Sequence, residues 1–215
     1  MKKYDCIIWD FNGTIFDDVN IGIESINTLL RARGLVELST REEYQRNFGF
    51  PIIEWYKKLG FDFDKEDYDE VAREWVAEYL SREKNAPTTD GVIELLEHFS
   101  KSGIRQVIIS ASEITMLKRQ LGFLGIEKYF DDVVGKGDVY ASGKSEIALR
   151  WRSLNPGKML FIGDTDHDLE TAEHINADCI LVACGHQSYE RLSSLALKAR
   201  TPLTVVRKMQ DILDI

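Results

Sequence analysis

The sequence predicts an α/β fold: a parallel sheet covered on both faces by helices, interrupted by an all-helical insertion. From residue 91 onward, short continuous apolar runs alternate with amphipathic helical patterns, which is how strands buried on both faces read in a sequence. Between about residue 19 and residue 86 the strand-like runs stop and only helical periodicity remains.

Taken in order, Tyr4 to Asp10 carries the run Ile7-Ile8-Trp9 and is expected as the first strand. In the insertion, Ile23, Ile26, Leu29 and Leu30 mark one helix, and Ser39 with Glu42 suits a capping box for a second. Pro51 suits the first turn of a third, which should stop near Gly60. A fourth carries the stripe Tyr68, Val71, Ala72, Trp75, Val76, Tyr79 and Leu80, expected to pack against neighbouring helices. "EKNAPTTDG" (83–91) reads as a return linker and hinge. The remaining strands are expected at 105–112, 130–135, 158–164, 178–183 and 201–206, with helices between them. The division this implies is a core of residues 1–18 and 87–215 and a helical cap of 19–86.

With 215 residues, 44% of them hydrophobic, the chain can bury a core of that size. Lys and Arg number 27 against 36 Asp and Glu, a net charge of −9 without a basic cluster, which argues against nucleic acid as a partner. The apolar run after Lys2 and Lys3 is too short for a leader, and none approaches the roughly 18 apolar residues of a membrane helix. A cytoplasmic protein without a membrane partner is expected, monomeric or homodimeric. Cys6, Cys179 and Cys184 are odd in number and lack metal-ligand spacing, so reduced thiols are expected.

In an open parallel sheet, ligands bind beyond the carboxyl ends of the strands. Strand one ends at Asp10, before a tight Asn12-Gly13 turn; a carboxylate there suits a nucleophile toward phosphorus or a metal ligand. Strand two ends in "IISAS", where Ser110 offers a hydroxyl and Ser112-Glu113 looks like the cap of the next helix. Lys144 stands at a helix start, where a cation opposes the macrodipole unless an anion joins it. Strand four ends in "FIGDTDHD", whose Asp164, Asp166 and Asp168 repel one another unless a hard cation sits among them.

The set Asp10-Phe11-Asn12-Gly13-Thr14, Ser110, Lys144 and Gly163-Asp164-Thr165-Asp166-His167-Asp168 resembles the four motifs of the haloacid dehalogenase superfamily, in the branch of phosphoglycolate phosphatase and beta-phosphoglucomutase. The resemblance spans essentially the whole chain. It implies a Rossmann-like core and a Mg2+-dependent phosphohydrolase that passes through an aspartyl-phosphate on a small phosphorylated metabolite. Asp10 would be the nucleophile; Asp10, the Asn12 carbonyl and Asp164 would hold Mg2+, with Asp168 beside them. Ser110, the Ala111 N–H, Lys144 and Thr14 would hold the phosphoryl group. In the cap loop, Arg46, Phe48 and Phe50 are the candidates for substrate contact. Trp9 and Phe11 are expected in the core, and Lys57 and Lys58 in solvent.

The family's phosphatases carry aspartate two residues after the nucleophile, where it protonates the leaving oxygen; this chain has Asn12, whose amide cannot deliver a proton. Three readings follow. One is a slower or specialised phosphatase that uses a good leaving group, such as an acyl or aryl phosphate, or borrows a proton from His167, Asp17 or Asp18. The second is a protein that binds a phosphorylated ligand or a partner. The third is an engineered or deamidating position that conceals a working aspartate.

Overall fold

In the computed structural model, which describes residues 3–137 and 143–214, the run Cys6–Trp9 forms β1 in a six-stranded parallel sheet. The other strands are β2 (Arg105–Glu113), β3 (Asp132–Lys136), β4 (Met159–Gly163), β5 (Asp178–Val182) and β6 (Leu203–Val206), in the order β3-β2-β1-β4-β5-β6. Side chains of a strand alternate between faces, and both faces here are buried. Ile7, Trp9, Ile108, Leu160, Ile162, Ile180 and Val182 join one apolar cluster, while Cys6, Ile8, Val107, Ile109, Phe161, Cys179 and Leu181 join the other. That two-sided burial is why each strand reads as an unbroken apolar run.

Helices α5 (Val92–Lys101) and α6 (Ile114–Leu124) cover the first face through Leu95, Leu96, Leu117 and Leu121. Against the second lie α7 (Lys144–Leu154), α8 (Asp166–His174) and α9 (Tyr189–Ser194), through Ile147, Trp151, Leu169 and Leu192. Ala141 and Ser142, from the stretch read before Lys144, lie outside the described residues. From β1 the chain steps outward to β2 and β3, then returns across β1 to β4, so the strand order reverses beside β1. The pairs Trp9↔Ile108 and Trp9↔Ile162 bring the ends of these three strands to one sheet edge.

Between β1 and β2 come α1 (Val19–Ala32), α2 (Arg41–Asn47), α3 (Ile52–Lys58) and α4 (Tyr68–Arg82), which share a third cluster containing Ile26, Leu30, Tyr44, Trp55, Tyr56 and Val71. Three local expectations change. The cap of α2 is Thr40, which accepts from the Glu43 N–H at 3.1 Å, while the Glu43 carboxylate accepts from the Ser39 N–H at 2.8 Å; the sequence holds two overlapping candidates and the later one forms. Pro51 precedes α3 instead of lying in its first turn. In α4 the stripe is only partly packed: Val71 and Tyr79 are buried, but Val76 is 45% exposed because this face of the helix borders a cavity.

No helix among the described residues is long and apolar enough to cross a membrane. Phe161, fully buried in the middle strand β4, should be costly to truncate: Phe161→Ala is expected to lower unfolding stability by about 3–5 kcal/mol, read from the urea midpoint.

Candidate active site

The Asp10 N–H donates to the Ile162 carbonyl at 2.8 Å, which fixes this residue where β1 meets β4. Its carboxylate lies with those of Asp164 and Asp168 in a buried group in which one oxygen from each lies within 4.8 Å of the others. Lys144, the first residue of α7, hydrogen-bonds to both Asp10 and Asp168, which supplies the anion its position required. Thr14 Oγ1 donates to Asp164 Oδ1 at 3.0 Å and lies 3.4 Å from Asp10 Oδ2.

One ammonium does not balance three carboxylates. Burial, and then the charge of Asp168, push the Asp10 pKa well above the ordinary carboxylate value, and Lys144 offsets this only in part. Asp164 rises to about 6, chiefly through burial, with His186 acting against the rise. Burial opposes the charge on Lys144, yet Asp10 and Asp168 together raise its pKa. The two partners therefore move in the same direction: the cation is shared among acids that outnumber it. A divalent cation would relieve that repulsion, and an all-oxygen donor set suits a hard ion.

Around this group the backbone is pressed close. Gly13 has φ of 76°, and a Cβ there would collide with the Asp164 carboxylate and His186; one on Gly185 would collide with Asp164 and the Gly13 carbonyl. The His186 N–H donates to Asp164 Oδ2 at 2.6 Å.

Asn12 is held by a second network. Its Nδ2 donates to Asp18 Oδ2 at 2.8 Å and to Tyr79 OH at 3.0 Å, and its Oδ1 accepts from Ser112 Oγ at 2.7 Å. Both amide hydrogens are thereby committed. Asp18 also accepts from Tyr79 OH (2.7 Å) and the Gly13 N–H (2.9 Å), and pairs with His186 Nε2 at 3.2 Å. Although burial works to raise the Asp18 pKa, the charge of His186 and these hydrogen bonds bring it below the usual value. His186 itself, despite burial, is raised to about 9 by Asp18 first and then by Asp164 and Asp10.

Over Asp10 and Lys144 opens a cavity of about 620 Å³. Ser110, Ala111, Ser112, Thr165, His167 and His186 line its lower part, and the insert closes it with Phe48, Phe50, Trp55, Tyr56, Trp75 and Tyr79. The insert is latched to the sheet edge by Tyr44 OH to His186 Nδ1 (2.8 Å), Gln45 to the Gly185 carbonyl (2.7 Å) and Arg191 to the Phe48 carbonyl (2.7 Å).

Asp10 after β1, Ser110 on β2 and Asp164 after β4 thus meet Lys144 and Asp168 from the first turns of α7 and α8, with Ala111 beside Ser110. Several expectations do not hold. Thr14 is fully buried and does not line the cavity, because its hydroxyl is used between Asp10 and Asp164. Asp166 turns away to Gln187 (2.8 Å) and Arg191 (2.7 Å). Arg46 is exposed and outside the cavity lining, on the solvent side of α2, whereas Phe48 and Phe50 do line it. Ser112 does not cap α6; Glu113 does, accepting from the N–H groups of Thr115 and Met116 at 2.9 Å each. Asp17 pairs with Arg41 at 2.9 Å, and the His167 ring stacks on Phe50 at 3.8 Å. Trp9 and Phe11 are core residues, Lys57 pairs with Glu54, and Lys58 is exposed. His186 was not singled out from the sequence, and Tyr79 was expected only to pack against neighbouring helices. A signal for His186 existed: it follows β5 at the same sheet edge, four residues after Val182.

The family model for haloacid dehalogenase-like hydrolases matches residues 7–182, and the chain belongs to that family. It is an enzyme of that hydrolase class. A phosphoglycolate phosphatase from Aquifex aeolicus is 26% identical over 196 residues, covering 84% of this chain and 85% of that protein. The tyrosine-protein kinase PtkA of Mycobacterium tuberculosis is 22% identical, covering 97% of this chain and 72% of that one. Among solved structures, a haloacid dehalogenase-like hydrolase from Streptococcus pneumoniae superposes with a TM-score of 0.80 at 21% identity, covering 100% of this chain and 99% of that one.

The Asp18–His186 pair generates a pH prediction for metal-free protein. A histidine whose folded pKa is about 9, above its unfolded value of about 6.5, contributes fully below pH ~6.5 and loses that contribution as pH rises through ~9. In EDTA, the stability deficit of His186→Gln relative to the natural chain, read by urea unfolding, should be about 3 kcal/mol near pH 6 and shrink steadily towards pH 9.

Proposed function

We propose that the protein is a Mg2+-dependent phosphatase acting on a small phosphorylated metabolite, with Asp10 as the nucleophile that carries the phosphoryl group between substrate and water. The observation that carries this reading is the convergence of Asp10, Asp164, Asp168 and Lys144 at one sheet edge beneath a cavity walled by the insert. Asp10, Asp164 and the Asn12 carbonyl, with Asp168 alongside, would hold the ion, which when bound supplies charge neutralisation and polarises the phosphoryl oxygens. Lys144, Ser110 and the Ala111 N–H orient and stabilise the transferred group. The insert acts as a cap that excludes water from the reacting centre. The relatives' names disagree on substrate, so the choice rests on this chain's own cavity.

Asn12 makes the enzyme a slow or specialised one. With its amide committed to Asp18, Tyr79 and Ser112, it neither delivers a proton nor has a free N–H for the leaving oxygen. Asn12→Asp alone would set a carboxyl against Asp18 Oδ2, 2.8 Å from the present amide nitrogen. The exchange Asn12→Asp with Asp18→Asn keeps one donor facing one acceptor and restores an acid.

Phosphate release from acetyl phosphate tests the reading. Turnover should vanish in EDTA, return with Mg2+, and be lost in Asp10→Asn. With an alkyl phosphate, the 12/18 exchange should raise kcat at least about 10-fold, part of the ~10²–10⁴ that acid–base help provides. Binding of phosphate esters without turnover, in both the natural chain and the exchange variant, would instead mark a ligand-binding relative.

A further inference from the structure

We infer that the substrate is the phosphate monoester of an uncharged aromatic alcohol, a phenol or its equivalent, whose ring seats in the wall of the insert. The inference rests on the phosphatase reading above and deepens it.

The wall provides the first ground. Among the described residues lining the cavity, those of α1 to α4 and the loops between them carry no charged side chain, the Asp18 carboxylate just before α1 being paired with His186; Phe48, Phe50, Trp55, Tyr56, Trp75 and Tyr79 supply rings instead. Cationic groups nearby are engaged, His186 on the lining among them, held between the Asp18 carboxylate and the Tyr44 hydroxyl. Arg41 is held by Asp17 and the Cys184 carbonyl, and Arg191 by Asp166 and the Phe48 carbonyl. Lys144, on the floor, is shared between Asp10 and Asp168. A leaving group bearing a carboxylate or second phosphate would bury that charge against rings, with Glu113 also on the lining. That disfavours phosphoglycolate and pyrophosphate. A volume of about 620 Å³ holds an aryl phosphate with room to spare.

The second ground is chemical and independent of the wall. With the Asn12 amide committed, the leaving oxygen departs without a proton from that position. A phenol, with pKa ~10, leaves as its anion far more readily than an alkanol, whose pKa is near that of water, ~15.7. In the first step an Asp10 carboxylate oxygen forms a bond to phosphorus, the P–O(aryl) bond breaks, and its electron pair leaves as phenolate. In the second, water adds to phosphorus, the P–O(Asp10) bond breaks, and the proton released by water ends on the phenolate in solution. The products are the phenol and inorganic phosphate, with Asp10 regenerated.

The test uses full-length protein with Mg2+ on phenyl, cyclohexyl and 4-carboxyphenyl phosphates, with acetyl phosphate as the measure of basal hydrolysis. Phenyl phosphate is expected to exceed cyclohexyl phosphate in kcat/KM by at least about 100-fold, and this gap should narrow in the 12/18 exchange variant. 4-Carboxyphenyl phosphate should fall at least about 10-fold below phenyl phosphate although its phenol is the more acidic. Val76→Arg, which places a cation in the wall from a position 45% exposed, should raise the ratio of 4-carboxyphenyl to phenyl turnover. Turnover of acetyl phosphate with phenyl phosphate no better than cyclohexyl or 4-carboxyphenyl phosphate would overturn the aryl inference alone. Silence with every ester, acetyl phosphate included, would overturn the phosphatase reading and this inference with it. An acetylated phosphotyrosine peptide is expected to be a poorer substrate than phenyl phosphate; parity between them would keep the aryl chemistry and assign its source to a protein side chain.

Discussion

Three carboxylates buried within 4.8 Å of one another are the constraint around which this molecule is arranged. Left alone, such a group either takes up protons or forces the structure open. The chain answers with Lys144 at the start of α7, with hydrogen bonds from Thr14 and from the Thr165 N–H and hydroxyl, and with His186 behind Asp164. None of these removes the excess of negative charge, and the raised pKa values of Asp10 and Asp164 record what is left over. That residue of repulsion is what a hard cation among the three acids would relieve.

Asp18 connects this charge problem to the insert. It is the residue immediately before α1, and it gathers the Gly13 N–H, the Asn12 amide, the Tyr79 hydroxyl from α4 and the His186 ring. One carboxylate thus ties the turn after Asp10, a helix of the insert and the loop after β5 into a single hydrogen-bonded unit. Because Asn12 is saturated by this unit, its amide serves structure where an acid would serve chemistry. Through Tyr79 the same contacts join the aromatic wall of the cavity to the turn after Asp10.

The stripe on α4 shows how a helix can satisfy two demands. Val71 and Tyr79 bury themselves in packing, while Trp75, Val76 and Tyr79 also border the cavity. Helical periodicity reports that one side is apolar; it does not say whether a neighbour helix or a ligand covers it. Similarly, Arg46 was attractive as a substrate contact because cations pair with anions, but its place on α2 carries it outward, and Tyr44 and Phe48 take the inward positions.

The sequence by itself determined the six parallel strands, the helical insertion after the first, and the gathering of Asp10, Ser110, Lys144, Asp164 and Asp168, since unbroken apolar runs define strands buried on both faces and such sheets present their strand ends together. It also exposed the missing acid, because residue type alone decides whether position 12 can carry a proton. Only the tertiary structure decided that Asp18, Tyr79 and Ser112 hold Asn12, that Thr14 serves the acids and not the cavity, and that Asp166 faces Arg191. Those outcomes depend on side-chain direction and on contacts between residues as far apart as 12 and 79, which local pattern and periodicity do not encode.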